Sequence, residues 1–173
     1  MKLLNWVQFE WDLSAFRDVD SELPQHYEIA AARKEDEKEL RKVFSSAFLL
    51  DPNWNPAIGE TMRKIQSWLD RALTSDTSVC LALRHGSRII GAVGLIFEPE
   101  AESHLAPGPS VLMEYRNRGF GTALLAASLR LLREKGLTRV TGITREGVPV
   151  TKSLYPKHGG TSAPIDVSAP LAA

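Results

Sequence analysis

One cysteine, Cys80, is the whole thiol inventory of the 173-residue chain. An internal disulfide and a cysteine-rich metal site are therefore both excluded, which suits a reducing compartment. Its neighbours Val79 and Leu81 place Cys80 on a strand, where a buried thiol is inert rather than nucleophilic. Net charge is missing as well. Lys plus Arg and Asp plus Glu each number 21, so no global field draws the chain to nucleic acid or to an anionic membrane. No apolar run approaches membrane-spanning length. Only Lys2 precedes Leu3 and Leu4 before polar and aromatic residues begin, so a secretory signal core is absent and a cytoplasmic location is expected. No internal repeat is present, and no metal is expected.

The remaining composition is that of one domain: 173 residues with 43% hydrophobic content suffice for a single full core and are too few for two ordinary ones. Within it, Glu114 to Leu125 puts an Arg-x-x-Gly-x-Gly turn, Arg116 to Gly121, directly before an amphipathic run. Two glycines bring the backbone close to a ligand and let successive amides converge on an anion. A following helix adds its positive end and its unpaired first amides, which together hold a pyrophosphate. Arg116 and Arg118 are placed to pair with outer phosphate oxygens. Two better-known phosphate loops do not match. A Rossmann fingerprint needs a third glycine where Leu124 stands, and a Walker loop needs a Gly-Lys-Ser/Thr that the chain lacks.

The surroundings supply the context that the turn needs. Val111-Leu112-Met113 reads as a short buried strand, and Leu124, Leu125, Leu129, Leu131 and Leu132 keep helical spacing up to a C-cap at Gly136. Leu137 to Thr144, rich in β-branched residues, reads as a strand returning parallel to the first. A second, shorter helix carries Lys152, Ser153, Leu154 and Tyr155 and stops at Gly159-Gly160.

With these elements in order, the chain resembles the GNAT superfamily of N-acetyltransferases. "EYRNRGFGTALL" resembles its acyl-CoA pyrophosphate loop, and "SLYPKHGG" resembles the later segment in which a tyrosine near a helix end precedes a Gly-aromatic pair. The resemblance covers most of the chain from about Tyr27. It implies an α/β (α+β) single-domain fold: a mixed, mostly antiparallel central sheet with a parallel pair around the acyl-CoA site, flanked by helices. It implies acetyl-CoA as acyl donor, contacted by Leu112, Met113, Arg116, Asn117, Arg118, Gly119, Phe120, Gly121 and Thr122. It also implies a backbone amide on the strand from Val111 to Met113 as oxyanion donor, and Tyr155 as the general acid for the departing thiolate. Two positions depart from the family pattern. Val148 stands where an asparagine commonly starts the second helix, and Gly160 replaces an aromatic, which is expected to loosen that element.

The implied reaction is direct attack of a primary amine, on a small molecule or peptide, on the thioester. A lysine-like amine has a pKa of about 10.4, so a base or a water chain must take its proton. Glu98, Glu100, Glu102 and His104 are candidates by position, with Glu98 nearest a strand end. A catalytically weak CoA-binding regulator and a structural module with a vestigial loop are the competing readings. A homodimer is compatible with all three.

Upstream, residues 1–26 read as an extension whose alternation of Val7, Phe9 and Trp11 with polar residues makes an extra strand over 3–12; residues 27–173 read as the acetyltransferase-like domain. Tyr27 to Ala30 is the first core strand. Leu40, Val43, Phe44, Ala47 and Phe48 mark one helix, and Ile58, Met62, Ile65, Leu69 and Leu73 mark a second after a Pro/Asn loop that holds Trp54. Trp54 is either an anchor of that loop or a substrate contact. Thr77 to Arg84 and Arg88 to Phe97 form a hairpin about His85-Gly86-Ser87, which leaves His85 at an exposed turn without a catalytic role. The Ala/Pro/Ser-rich end, 162–173, is expected to fray.

Overall fold

The computed structural model describes residues 6–18, 22–52, 54, 58–146 and 148–164. Among these residues seven strands and four α-helices follow one another as β1 (Trp6–Asp12), β2 (Tyr27–Ala31), α1 (Glu37–Leu49), α2 (Ile58–Thr74), β3 (Ser78–His85), β4 (Arg88–Ile96), β5 (Ser110–Val111), α3 (Phe120–Glu134), β6 (Arg139–Arg145), α4 (Tyr155–Lys157) and β7 (Thr161–Pro164). Every element named from the sequence is present. The parts of those expectations that fall on 1–5, 53, 55–57 and 165–173 lie outside the described residues.

The strands form a four-stranded sheet, β2-β3-β4-β5, and a three-stranded sheet, β6-β1-β7, with every ladder antiparallel. The hairpin β3–β4 turns at Gly86, whose φ of +61° suits a residue without a Cβ. On β4, Ile89 to Ile96 are all buried, as a strand covered on both faces demands. Helices α1 and α2 pack on β3 and β4, and α3 packs on the same two strands and β5. Leu124, Leu125, Leu129 and Leu132 of α3 are fully enclosed. Truncating one of them to alanine costs about 2–5 kcal/mol.

The two sheets are stitched together at Leu105, which bridges Leu95 of β4 on one side and Gly142 of β6 on the other. Around it the His104 amide donates to the Thr141 carbonyl at 2.8 Å, and the Ile143 amide donates to Ser103 Oγ at 3.0 Å. From this seam the sheets part: β5 stays with β4, and β6 stays with β1. The parallel pair expected between Val111 to Met113 and Leu137 to Thr144 is therefore reduced to the single Leu105–Gly142 bridge, the one parallel link among the described residues. The reason is geometric, since two segments that diverge from a seam leave a cleft instead of a ladder. Met113 is also not a strand residue; the chain turns there into a short 3₁₀ helix, Met113–Tyr115.

Strand β1 lies inside the second sheet, between β6 and β7, pairing Phe9 with Gly142 and with Ser162. Phe9 and Trp11 point into the main core, while Trp6, of opposite parity, joins Trp54, Ile143 and Val148 in a second apolar cluster. Of the end expected to fray in part, 162–173, residues 162–164 are held by pairing with the free edge of β1, and the rest lies outside the described residues. Among the described residues no helix is long and apolar enough to cross a membrane.

Candidate active site

The loop after β5 is built from unusual backbone. Leu112 and Arg116 are extended, Asn117 has φ +62°, and Gly119 has φ +82° as the N-cap of α3. An added Cβ at Gly119 would meet nothing within 4 Å, so its requirement for glycine is conformational and not steric. Gly121 differs: it is an ordinary helical residue, and a Cβ there would touch only Leu154 Cδ2 at 3.6 Å. Of the two loop glycines, only Gly119 is required for its φ.

Helix α3 begins with no side-chain cap and no acidic residue in its first turn. The first intrahelical bond runs from the Ala123 amide to the Gly119 carbonyl at 3.1 Å, so the amides of Phe120, Gly121 and Thr122 precede the first possible partner. All three residues line a cavity of about 570 Å³. An anion seated there meets unpaired amides and the positive end of a 15-residue helix.

The same cavity runs between the parted sheets. Gly108 to Val111 form one wall, Ile143, Thr144 and Val148 the other, and Tyr155 lies between. Tyr155 is fully buried, packed edge-on against Phe9 and Trp11 at 5.2 and 4.8 Å between ring centres. Burial pushes its phenol pKa well up, which keeps the proton on oxygen throughout the neutral range. The hydroxyl reaches the strand side of the cleft, where a Cβ on Gly108 would lie 2.6 Å from it.

The expected cofactor residues divide. Met113, Arg116, Asn117, Gly119, Phe120, Gly121 and Thr122 line the cavity; Leu112 and Arg118 do not. The Leu112 amide is bonded to the Ile90 carbonyl at 2.8 Å, which removes it from the possible oxyanion donors. Arg118 is exposed and donates to the Glu114 carbonyl at 3.1 Å. Arg116, read from the sequence as a phosphate partner, spends its guanidinium inside the protein: Nε donates to the Val111 carbonyl, Nη1 to Asp51 and Nη2 to the Ala47 carbonyl, at 3.0, 2.9 and 2.8 Å. It ties the loop to the end of α1.

Glu98 is exposed, accepts from Thr77 Oγ1 at 2.9 Å, and lines a second cavity with Glu100 and Glu102, not the first. His104 is buried with both ring nitrogens engaged. The Thr141 amide donates to Nδ1, and Nε2 faces the Glu98 carbonyl, each at 2.9 Å, so the ring is a neutral brace for the seam. Burial holds its pKa below the usual imidazole value. His85 stands at the turn, stacked on Tyr27. Cys80 is buried with its thiol pKa pushed up to about 12, which leaves it inert. Among the described residues no cluster of histidine, cysteine or carboxylate side chains could hold a metal.

Both departures from the family pattern have a structural account. Val148 is buried in the apolar cluster with Trp6, Trp54 and Ile143. Gly160 does not loosen its element: its amide donates to the Tyr155 carbonyl at 2.9 Å, and a Cβ there would lie 3.0 Å from the Trp11 indole. An aromatic from β1 occupies the space beside it. Trp54, left open between anchor and contact, packs on Phe48 and Trp6 and also lines the cavity. Sequence reasoning missed Trp6, Thr61, Lys64 and Trp68 on the same cavity. Those on α2 were hidden because the helix buries Thr61, Ile65, Leu69 and Ala72, a stripe rotated from the purely apolar one.

Comparisons with known proteins agree with this geometry. A family model for the GNAT acetyltransferase family matches residues 9–159. No functionally curated protein matches the sequence. Among solved structures, a Drosophila protein aligns with a TM-score of 0.66 at 17% identity, over 93% of this chain and 48% of its own. A GCN5-related N-acetyltransferase from Sphaerobacter thermophilus aligns at 0.60 and 15%, over 94% and 50%. AAC(6')-Iy, in complex with the bisubstrate analogue CoA-S-monomethyl-acetylneamine, aligns at 0.58 and 17%, over 78% and 90%. The chain thus spans about half the length of the Drosophila and Sphaerobacter proteins, and at these identities the likeness is one of fold. The family model, which spans most of the sequence, establishes that the chain belongs to the GNAT acetyltransferase family.

Proposed function

We propose that the protein is an acetyl-CoA-dependent N-acetyltransferase acting on a primary amine of a small molecule or peptide. The observation that carries this reading is one continuous cavity lined both by the uncapped start of α3 and by the buried Tyr155. The amides of Phe120, Gly121 and Thr122 hold the pyrophosphate, and the pantetheine arm lies in the cleft between β5 and β6. The neutral amine nitrogen attacks the thioester carbonyl carbon, the C–S bond breaks, the Tyr155 hydroxyl gives its proton to the departing thiolate, and the proton shed by the nitrogen leaves through water, from which the phenolate is reprotonated. AAC(6')-Iy, which shares the fold, is described with a ligand that joins CoA to an acetylated amine; that parallel supports the reading.

One feature favours a second reading, a CoA-binding regulator. Asp51 is the one carboxylate among the described residues lining the cavity, and Arg116 holds it. Glu98 faces the adjoining cavity, so a base role for it runs through water. Thiol release from acetyl-CoA over a panel of amines separates the two. Amine-dependent release above the background hydrolysis supports transfer; tight CoA binding with no release from any amine supports the regulator.

A further inference from the structure

Two residues of α2 that line the cavity, Thr61 and Lys64, carry polar groups that neither the fold nor the loop uses. Thr61 is 2% exposed, and Lys64 follows it by three residues on the same face. Among the described residues, Thr61 Oγ1 and Lys64 Nζ are both buried and without a hydrogen-bond partner. The Lys64 ammonium lies over the Trp6 ring, 4.6 Å from its centre. A buried hydroxyl and a buried ammonium left unbonded cost stability unless something else bonds them.

Their position says which ligand they serve. Lys64, Trp68 and Ile143 line both cavities, and the second cavity contains no residue of the glycine loop. Lys64 therefore stands where the cleft meets the adjoining cavity, on the acceptor's side of the site, with Thr61 one helical turn away on the wall of the first cavity. Resting on the transfer reading above, we propose that Thr61 and Lys64 form a subsite for a carboxylate carried by the amine acceptor, which makes the acceptor an amino acid or a related amino-carboxylate. An ammonium and a hydroxyl match the two oxygens of such a group. Glu60 and Glu102 act on Lys64 from the rim of the second cavity, and their charge disfavours a dianion such as a phosphate relative to a carboxylate. The aromatic faces of Trp6, Trp54 and Trp68 shape the surrounding walls. Burial depresses the Lys64 pKa, and a bound carboxylate offsets that cost.

The test measures binding as well as turnover. N-acetylglycine, N-acetylleucine and N-acetylphenylalanine are titrated against the CoA-saturated protein beside their uncharged amides. At least one acid is expected to bind about tenfold or more tightly than its amide. Lys64→Met should bring that ratio close to one and Thr61→Val should reduce it, with Lys64→Arg retaining most of it and CoA affinity unchanged throughout. Equal binding of every acid and amide, binding of neither, a preference that survives Lys64→Met, or a parallel loss of CoA affinity in Lys64→Met overturns the subsite. Thiol release from acetyl-CoA, measured on the same proteins with glycine, leucine and phenylalanine and their amides as acceptors, separates this proposal from the one it rests on. Acid preference without turnover keeps the subsite and removes the transferase reading, whereas turnover without acid preference does the reverse.

Discussion

Arg116 Nη1 donates to the Asp51 carboxylate at 2.9 Å, joining the glycine loop to the end of α1 across 65 residues of sequence. Asp51 is 5% exposed, and the guanidinium also holds two carbonyls, so the pair works as a clamp on the loop. The proposed phosphate site is consequently one of backbone amides, on a loop held by an arginine whose guanidinium is engaged within the protein.

Removing either side of this clamp should destabilise the fold. Bonds to charged groups contribute about 1.5–3 kcal/mol each, and a buried charge left alone adds to the loss. Arg116→Ala and Asp51→Ala are each expected to cost about 3 kcal/mol in urea unfolding, and Arg118→Ala, on an exposed side chain, under about 0.5 kcal/mol. Equal stability of the Arg116 and Arg118 variants would contradict the clamp.

Gly160 should resist any side chain. A Cβ there would lie 2.9 Å from the Tyr155 carbonyl oxygen and 3.0 Å from the Trp11 ring, and overpacking of this kind costs about 1–3 kcal/mol. Gly160→Ala is expected to lower the melting temperature, and adding Trp11→Ala should reduce the penalty attributable to the alanine at 160. Additive effects in that double-mutant cycle would mean that Trp11 does not fill the space.

Tyr155→Phe should lower kcat by about 10- to 1000-fold while CoA affinity changes little, because the ring still packs and only the proton donor is lost. Wild-type kcat on an established amine, with chemistry limiting the rate, would remove Tyr155 from the mechanism.

His104 predicts a specific pH dependence. Its folded pKa lies below the ordinary imidazole value because of burial, so the unfolded chain binds the proton more readily. The stability this group contributes is complete above about pH 6.5 and is lost as pH falls from there toward the depressed folded value. His158 is shifted in the same direction, so the measurement compares melting curves from pH 8 to 5 for the wild type and His104→Gln. The variant should be less stable at pH 8 and lose less on acidification; parallel curves would show that His104 does not titrate with unfolding.

The parts of this protein that were legible in the sequence are those decided locally. The Gly119 turn and α3 announce themselves through backbone freedom and helical spacing, and the β3–β4 hairpin through its turn residues. What escaped depends on pairing across the chain. The alternation of β1 identified a strand but could not say that it lies between β6 and β7, with Trp11 beside Gly160. Arg116 looked like a phosphate ligand because its partner Asp51 is remote in sequence. Thr61 and Lys64 were passed over since packing, not apolar periodicity, decides which stripe of α2 turns inward.

The central claim is that the start of α3 binds the phosphates of an acyl-CoA through backbone amides. Calorimetric titration of CoA into the wild type and into Gly121→Asp tests it most directly. Gly121 has room for a side chain within the fold, since the nearest atom to an added Cβ is Leu154 Cδ2 at 3.6 Å, and the new carboxylate would sit where the phosphates belong. The account predicts one CoA site in the wild type, its loss in Gly121→Asp, and closely similar melting temperatures for the two proteins. No binding to the wild type, or equal CoA affinity in a folded Gly121→Asp, would contradict it.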